Sequence, residues 1–104
     1  AGGGGYEAAT VAAAAICKRL VKQGTEDATA YALLGVISQT SGQFEPAEEL
    51  FRTALYLDPH HYESLLHMSL LCERRGDREA GHRYRTRAGR ALERQRSQGV
   101  RESL

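Results

Sequence analysis

The chain has 104 residues and a net charge of +1; 41% of its residues are hydrophobic and 26% are charged. This length and composition predict one small globular domain and not a disordered chain. No apolar run is long enough to span a bilayer, and no signal-peptide pattern opens the chain, so we expect no membrane insertion and a cytoplasmic location. Cys17 and Cys72 both lie in helical patterns, which favours free thiols over a disulfide.

The N-terminal part of the chain predicts a flexible lead-in followed by one helix. Residues 1–5 read AGGGG, and glycine loses much conformational entropy when it is ordered. Residues 6–23 are rich in alanine and carry basic residues near their end, just before Gly24, as expected for a helix and its terminus. Counted back 34 residues from Ala47 and Phe51, Ala13 and Cys17 take the register of the second helix of a pair. We therefore expect an unpaired helix, whose first helix lies upstream or which is itself the cap.

Residues 28–61 hold two apolar patterns with helical spacing, and Ser41-Gly42-Gln43 separates them. In the first pattern the apolar residues are Tyr31, Leu34, Val36 and Ile37. In the second they are Ala47, Leu50, Phe51, Ala54 and Leu55. Asp27 is suited to cap the first helix, and Glu45-Pro46 to begin the second. Asp58-Pro59 is expected to end the second helix, because proline lacks the N–H that would continue it.

This 34-residue stretch resembles the tetratricopeptide repeat, a helix–turn–helix unit. Tyr31 stands where that family usually has Trp, and Leu34-Gly35 follows at the expected spacing. Ala47, Phe51 and Ala54 occupy the small, aromatic and small positions of the second helix. An unrelated helical hairpin is the alternative.

Residues 62–95 match a second repeat less well. Gly76 aligns with the turn glycine Gly42, and Gly81 and Ala88 take the small positions, but Arg85 replaces the aromatic residue. A terminal repeat faces water on one side, which fits this more charged second helix. Residues 96–104 are expected to be a frayed tail.

The resemblance implies an all-α fold, an α-α superhelix of about two and a half repeats and five helices. In this family, function lies on the concave face, which the first helix of each pair forms. The register implies a partner-binding groove that is lined by Thr29, Ala32, Leu33, Val36, Gln39, Glu63, Leu66, His67, Leu70 and Glu73.

The predicted groove is apolar, and it lacks the Lys and Asn residues with which some members of the family hold a peptide carboxylate. We therefore expect a protein or an amphipathic helical peptide as its occupant. The alternatives are a second copy of this chain, giving a homodimer, or a helix of the protein itself.

Other chemistry finds little support in the sequence. His67 and Cys72 are five residues apart and no CxxC or HxxxH spacing occurs, so we expect no metal site. His60 and His61 are expected to be solvated, and His67 is expected to line the groove. No catalytic motif or phosphate-binding loop is recognisable.

The charge of the chain is distributed unevenly: residues 1–73 sum to −5 and residues 74–104 to +6. The Arg-rich last helix predicts an acidic protein partner. The alternative is a solvated face on a terminal helix, with Ala80, Tyr84, Ala88 and Leu92 facing inward. Nucleic acid is not expected, because few aromatic residues accompany the arginines.

A second resemblance covers Ala47 to Leu92, and the run ALYLDPHHYESLLHMSLLCERRGD carries most of it. This stretch is similar to the repeat region of CheR-type chemoreceptor methyltransferases, including those of Wsp-like pathways. Such enzymes methylate receptor glutamates with S-adenosylmethionine, and their repeats follow the catalytic domain. No catalytic or cofactor motif of that family lies in this sequence. The resemblance therefore implies a non-enzymatic accessory domain without a cofactor, which docks the methyltransferase to a chemoreceptor, a signalling protein or its own catalytic domain.

Overall fold

The computed structural model of this chain describes residues 12, 15–16, 19–20, 22–24 and 27–103, the last four of these by their backbone alone. The predicted all-α class is confirmed, because every regular element in these residues is a helix. Helix α1 spans Ala28–Thr40, α2 Phe44–Leu57, α3 Tyr62–Arg74 and α4 Arg78–Ser103. Residues 12, 15–16, 19–20 and 22–23 are also helical and precede Gly24.

The four helices form two consecutive hairpins, α1–α2 and α3–α4. Each helix of the second hairpin begins 34 residues after its counterpart in the first. The turns repeat at the same interval, with Gly42 at φ +80° and Gly76 at φ +88°. Only glycine adopts this left-handed conformation without steric cost, so both turns close in the same way. α2 also packs against α3, and α1 against α3, which places the hairpins side by side.

Most of the predicted helix ends are found in the structure. The carboxylate of Asp27 accepts hydrogen bonds from the N–H groups of Thr29 and Ala30, at 3.0 and 3.4 Å. Pro46 lies in the first turn of α2, where its missing N–H is tolerated, and α2 ends at Leu57, ahead of Asp58-Pro59. α3 begins after His61, whose side chain caps it.

The core of the first hairpin is built around Phe51. Its ring is fully buried and lies against Gly35 of α1, so close that a Cβ on Gly35 would approach two ring carbons to 2.8 Å. On α3 the imidazole of His67 stacks on the same ring, with centroids 5.1 Å apart and planes 1° from parallel. Phe51 therefore packs against both hairpins, and the aromatic position of the repeat is occupied as the sequence predicted.

The second hairpin replaces this aromatic contact with a closer approach of the two backbones. A Cβ on Gly81 would lie 3.2 Å from the carbonyl oxygen of Ser69 on α3. Arg85, at the aromatic position, points outward and pairs with Glu73 of α3 at 2.6 Å. The inward face of α4 holds Ala80, Tyr84 and Ala88 as predicted, and also Ala91, which the sequence analysis did not single out. Leu92 is half-buried.

The structure differs from prediction at the C-terminus. α4 continues to Ser103, where the sequence analysis ended the second repeat at residue 95 and expected a frayed tail. No proline interrupts this stretch, and Gly99 alone weakens it, so the helix can extend beyond its packed part.

Several predictions concern residues outside the described ones. The glycine-rich lead-in at 1–5 lies there, and so do most of the 6–23 helix and Cys17. Of that helix, Leu20 is half-buried and packs against the core. Cys72 is a free thiol and fully buried.

Candidate functional site

The residues predicted to line a groove lie on α1 and α3, the first helices of the two hairpins. We call the surface of these two helices the α1–α3 face. It is defined by the exposed or half-buried members of the predicted set: Thr29, Leu33, Val36, Gln39, Glu63, Leu66, His67, Leu70 and Glu73. α1 and α3 are in contact, and a hydrogen bond between Gln39 and His67 joins two of these residues across the helices.

The α1–α3 face carries two leucines that are unusually accessible. Leu33 on α1 is 61% exposed and Leu70 on α3 is 42% exposed. Val36 and Leu66 are half-buried beside them in the helical register. Each helix therefore presents one accessible leucine and one half-buried aliphatic residue, so both helices contribute apolar side chains to the face beside its polar ones.

Ala32 does not line this surface, contrary to prediction. It is only 5% exposed and belongs to the hydrophobic core. Ala32 therefore has a packing role in the core.

His67 is held in the α1–α3 face by two contacts. Its Nδ1 lies 3.1 Å from Oε1 of Gln39 on α1, and because the amide oxygen accepts, Nδ1 carries the hydrogen. Its ring stacks on Phe51. Burial lowers the pKa of His67 below the ordinary value of 6.5, against the opposing effect of the Glu63 charge. The imidazole is therefore neutral at pH 7, and its bond to Gln39 ties the two repeats together.

His61 is not solvated, contrary to prediction, but caps α3. Its Nδ1 accepts hydrogen bonds from the backbone N–H of Ser64 at 3.3 Å and from the Ser64 hydroxyl at 2.8 Å. Its Nε2 then carries the hydrogen and lies 3.5 Å from Oγ1 of Thr29 and 3.7 Å from a carboxylate oxygen of Glu63. Histidine is a rare cap beside Ser, Thr, Asp and Asn, so the residue type did not predict this role.

An ion pair between the hairpins was also not predicted from the sequence. Arg75, at the end of α3, pairs with Glu48 of α2. The two residues are 27 positions apart in the sequence, and an ion pair over that distance leaves no short-range sequence pattern from which it could be predicted.

The side chains described by the structure offer little for catalysis or metal binding. They contain no group of three His, Cys, Asp or Glu residues that could hold a metal ion. Burial raises the pKa of the Cys72 thiol, with the charge of Arg75 opposing this effect, so the thiol stays protonated at pH 7. Among the same residues no helix is long and apolar enough to cross a membrane.

These features define a helical-hairpin repeat with an accessible apolar face. The chain is similar to part of a probable biofilm formation methyltransferase, WspC, from Pseudomonas aeruginosa, with 38% identity over 80 residues. That match covers 77% of this chain and 19% of the relative. The WspC of Pseudomonas putida is 39% identical over 75 residues, or 72% of this chain and 18% of the relative. This chain thus spans about a fifth of the length of these curated relatives, and no protein-family model matches it.

Proposed function

We propose that this chain is a tetratricopeptide-type accessory domain of a chemotaxis-type methyltransferase. In this proposal the domain does not catalyse methyl transfer but docks the enzyme to a receptor or a signalling partner through the α1–α3 face. The similarity to part of WspC supports the methyltransferase context. The 34-residue interval between the hairpins supports the repeat assignment.

One observation carries the docking role: Leu33 and Leu70 are accessible on the same face of a small domain. Full burial of a leucine contributes about 1.5–3 kcal/mol. The exposed fractions of these two side chains would therefore contribute together about 1.5–3 kcal/mol if a partner covered them. Contacts with Val36 and Leu66 would add to this, so an amphipathic helix of a partner is a suitable occupant.

The polar residues of the α1–α3 face are also compatible with an amphipathic helix as the bound partner. Thr29 and Glu63 are exposed at its edge, and the bond between Gln39 and His67 fixes the two helices at its centre. A surface held in this way needs little rearrangement on binding, which lowers the entropic cost of association.

Substitution of Leu70 by Glu tests this proposal. We expect Leu70→Glu to abolish pull-down of a purified chemoreceptor cytoplasmic fragment or of a purified CheR-type catalytic domain, because it places a charge in the apolar contact. The matched control is Tyr56→Glu, since Tyr56 is 86% exposed on α2, outside the α1–α3 face. Circular dichroism should show unchanged helicity for both variants. Equal pull-down by Leu70→Glu and the unmodified chain would overturn the docking proposal.

A second copy of this chain is the alternative occupant, since the same leucines could pack against each other across a dimer. Light scattering at high protein concentration distinguishes the two. A dimer that Leu70→Glu dissociates and Tyr56→Glu does not would favour self-association, whereas a monomer would exclude it.

A further inference from the structure

A row of arginines runs along α4, outside the α1–α3 face. Arg83, Arg87, Arg90 and Arg94 recur at intervals of four, three and four residues, which places them on one side of a helix. All four are exposed. At a rise of about 1.5 Å per residue the row is roughly 17 Å long. We call it the arginine stripe.

The stripe is not neutralised by the domain itself. No carboxylate among the described side chains forms an ion pair with Arg83, Arg90 or Arg94. Arg87 donates a hydrogen bond to the carbonyl oxygen of Pro59 at 3.3 Å and lies 5.5 Å from the ring centre of Tyr84, so its charge is also unpaired.

The opposite flank of α4 differs in this respect. There Arg85 pairs with Glu73 at 2.6 Å, and Arg96 lies 3.8 Å from Glu93. Among the described side chains of α4, Arg78 is the arginine of this flank without an ion pair, against four on the stripe, so most of the unpaired charge lies on one side of the helix.

The N-terminal end of the stripe borders an open cavity of about 330 Å³. Its lining residues are Arg75, Asp77, Ala80, Arg83, Tyr84 and Arg87. Arg75 is already engaged with Glu48, whereas Arg83 and Arg87 have no carboxylate partner. Asp77 lies near Arg75 at 3.9 Å on the same lining, so Arg83 and Arg87 are the two guanidinium groups of this cavity that are open to a partner's carboxylate.

We propose that the arginine stripe docks an acidic α-helix of a partner protein, with carboxylates at the same spacing of four, three and four residues. The charges are complementary, and two helices aligned side by side would bring each guanidinium within reach of one carboxylate. This surface is separate from the α1–α3 face, so the domain has two docking surfaces of different chemistry.

Features of α4 favour an acidic helix over a nucleic acid. Glu79 lies beside the stripe in the helical register and would repel the uniform charge of a phosphate backbone. A partner helix can place a neutral or basic residue opposite it. Tyr84 is half-buried against the core and is not presented as a stacking surface for bases.

The test measures binding of a fluorescein-labelled Ala/Gln-rich helical peptide with glutamates at this spacing. The control peptide has the same composition, with its glutamates distributed around the helix. Anisotropy is recorded at ionic strengths of about 0.01 M and about 0.15 M, because binding through exposed charges weakens with salt. We expect the patterned peptide to bind more tightly than the control peptide.

Two variants remove equal charge from the two flanks of α4. The triple variant Arg83→Gln/Arg90→Gln/Arg94→Gln should bind the patterned peptide about tenfold more weakly, as expected for the loss of three exposed ion pairs. The matched triple variant Arg78→Gln/Arg85→Gln/Arg96→Gln should retain most of the affinity. Helicity by circular dichroism should be the same in both.

Three results would overturn the proposal. These are equal weakening by the two triple variants, equal binding of the two peptides, and tighter binding of duplex DNA or phosphatidylserine vesicles than of the patterned peptide. Leu70→Glu should leave peptide binding unchanged, so the proposal for the arginine stripe and the proposal for the α1–α3 face can be refuted independently.

Discussion

Gly35→Ala is the most direct test of how the first hairpin is packed. Gly35 lies in the interior of α1, and a Cβ at this position would stand 2.8 Å from two carbons of the Phe51 ring. Carbon atoms in contact are normally about 3.5–4.0 Å apart. The ring is fully buried and also stacks on His67, so it cannot move aside without disturbing α3.

Two opposing effects determine how much Gly35→Ala changes the free energy of unfolding. Replacing glycine by alanine inside a helix stabilises it by about 0.5–1 kcal/mol, whereas overpacking a well-filled core costs about 1–3 kcal/mol. We therefore expect Gly35→Ala to lower the free energy of unfolding by about 0.5–2 kcal/mol. Gly89→Ala is the control, since Gly89 is exposed inside α4 and its Cβ would meet nothing within 4 Å. This variant should gain about 0.5–1 kcal/mol.

Urea unfolding followed by circular dichroism measures both variants. A double-mutant cycle with Phe51→Leu adds a second check, because Gly35→Ala should cost less once the ring is removed. If Gly35→Ala stabilised the domain as much as Gly89→Ala does, the contact between α1 and α2 described here would be wrong.

Two further predictions concern the histidines. His61→Ala should lower the free energy of unfolding by about 1 kcal/mol because it leaves the first turn of α3 uncapped, whereas His61→Asn, which can accept the same N–H bond, should restore most of the loss in urea unfolding. For His67, burial lowers the pKa in the folded state below 6.5. As the pH is lowered through 6.5, the unfolded chain therefore binds more protons than the folded one, and the free energy of unfolding decreases. His67→Phe keeps a ring against Phe51 and should reduce this fall over the range just below pH 6.5; identical pH profiles for His67→Phe and the unmodified chain would refute it.

The fold was predictable because its determinants are local and repeated. The apolar spacing, the turn glycines Gly42 and Gly76, and the Asp27 cap each act within a few residues, and the 34-residue interval makes every signal appear twice. Gly35 and Phe51 were predicted as repeat positions, and their contact follows from that register.

The candidate site was predictable only in part, because exposure depends on neighbours that the sequence does not reveal. Leu33 and Leu70 lie on an accessible face as predicted, but Ala32, in the same register, is buried in the core. The cap formed by His61 and the bond between Gln39 and His67 depend on side-chain geometry, which the spacing of residue types does not determine.

The two contacts of the Phe51 ring have a consequence for how this domain unfolds. The ring packs on Gly35 within its own hairpin and on His67 of the next, so the two hairpins share part of their interior. Thermal unfolding should therefore be cooperative across the two hairpins. If the chain were divided at Pro59, each half would expose core residues that the other half covers. The smallest unit that can be excised or exchanged intact is the pair of hairpins.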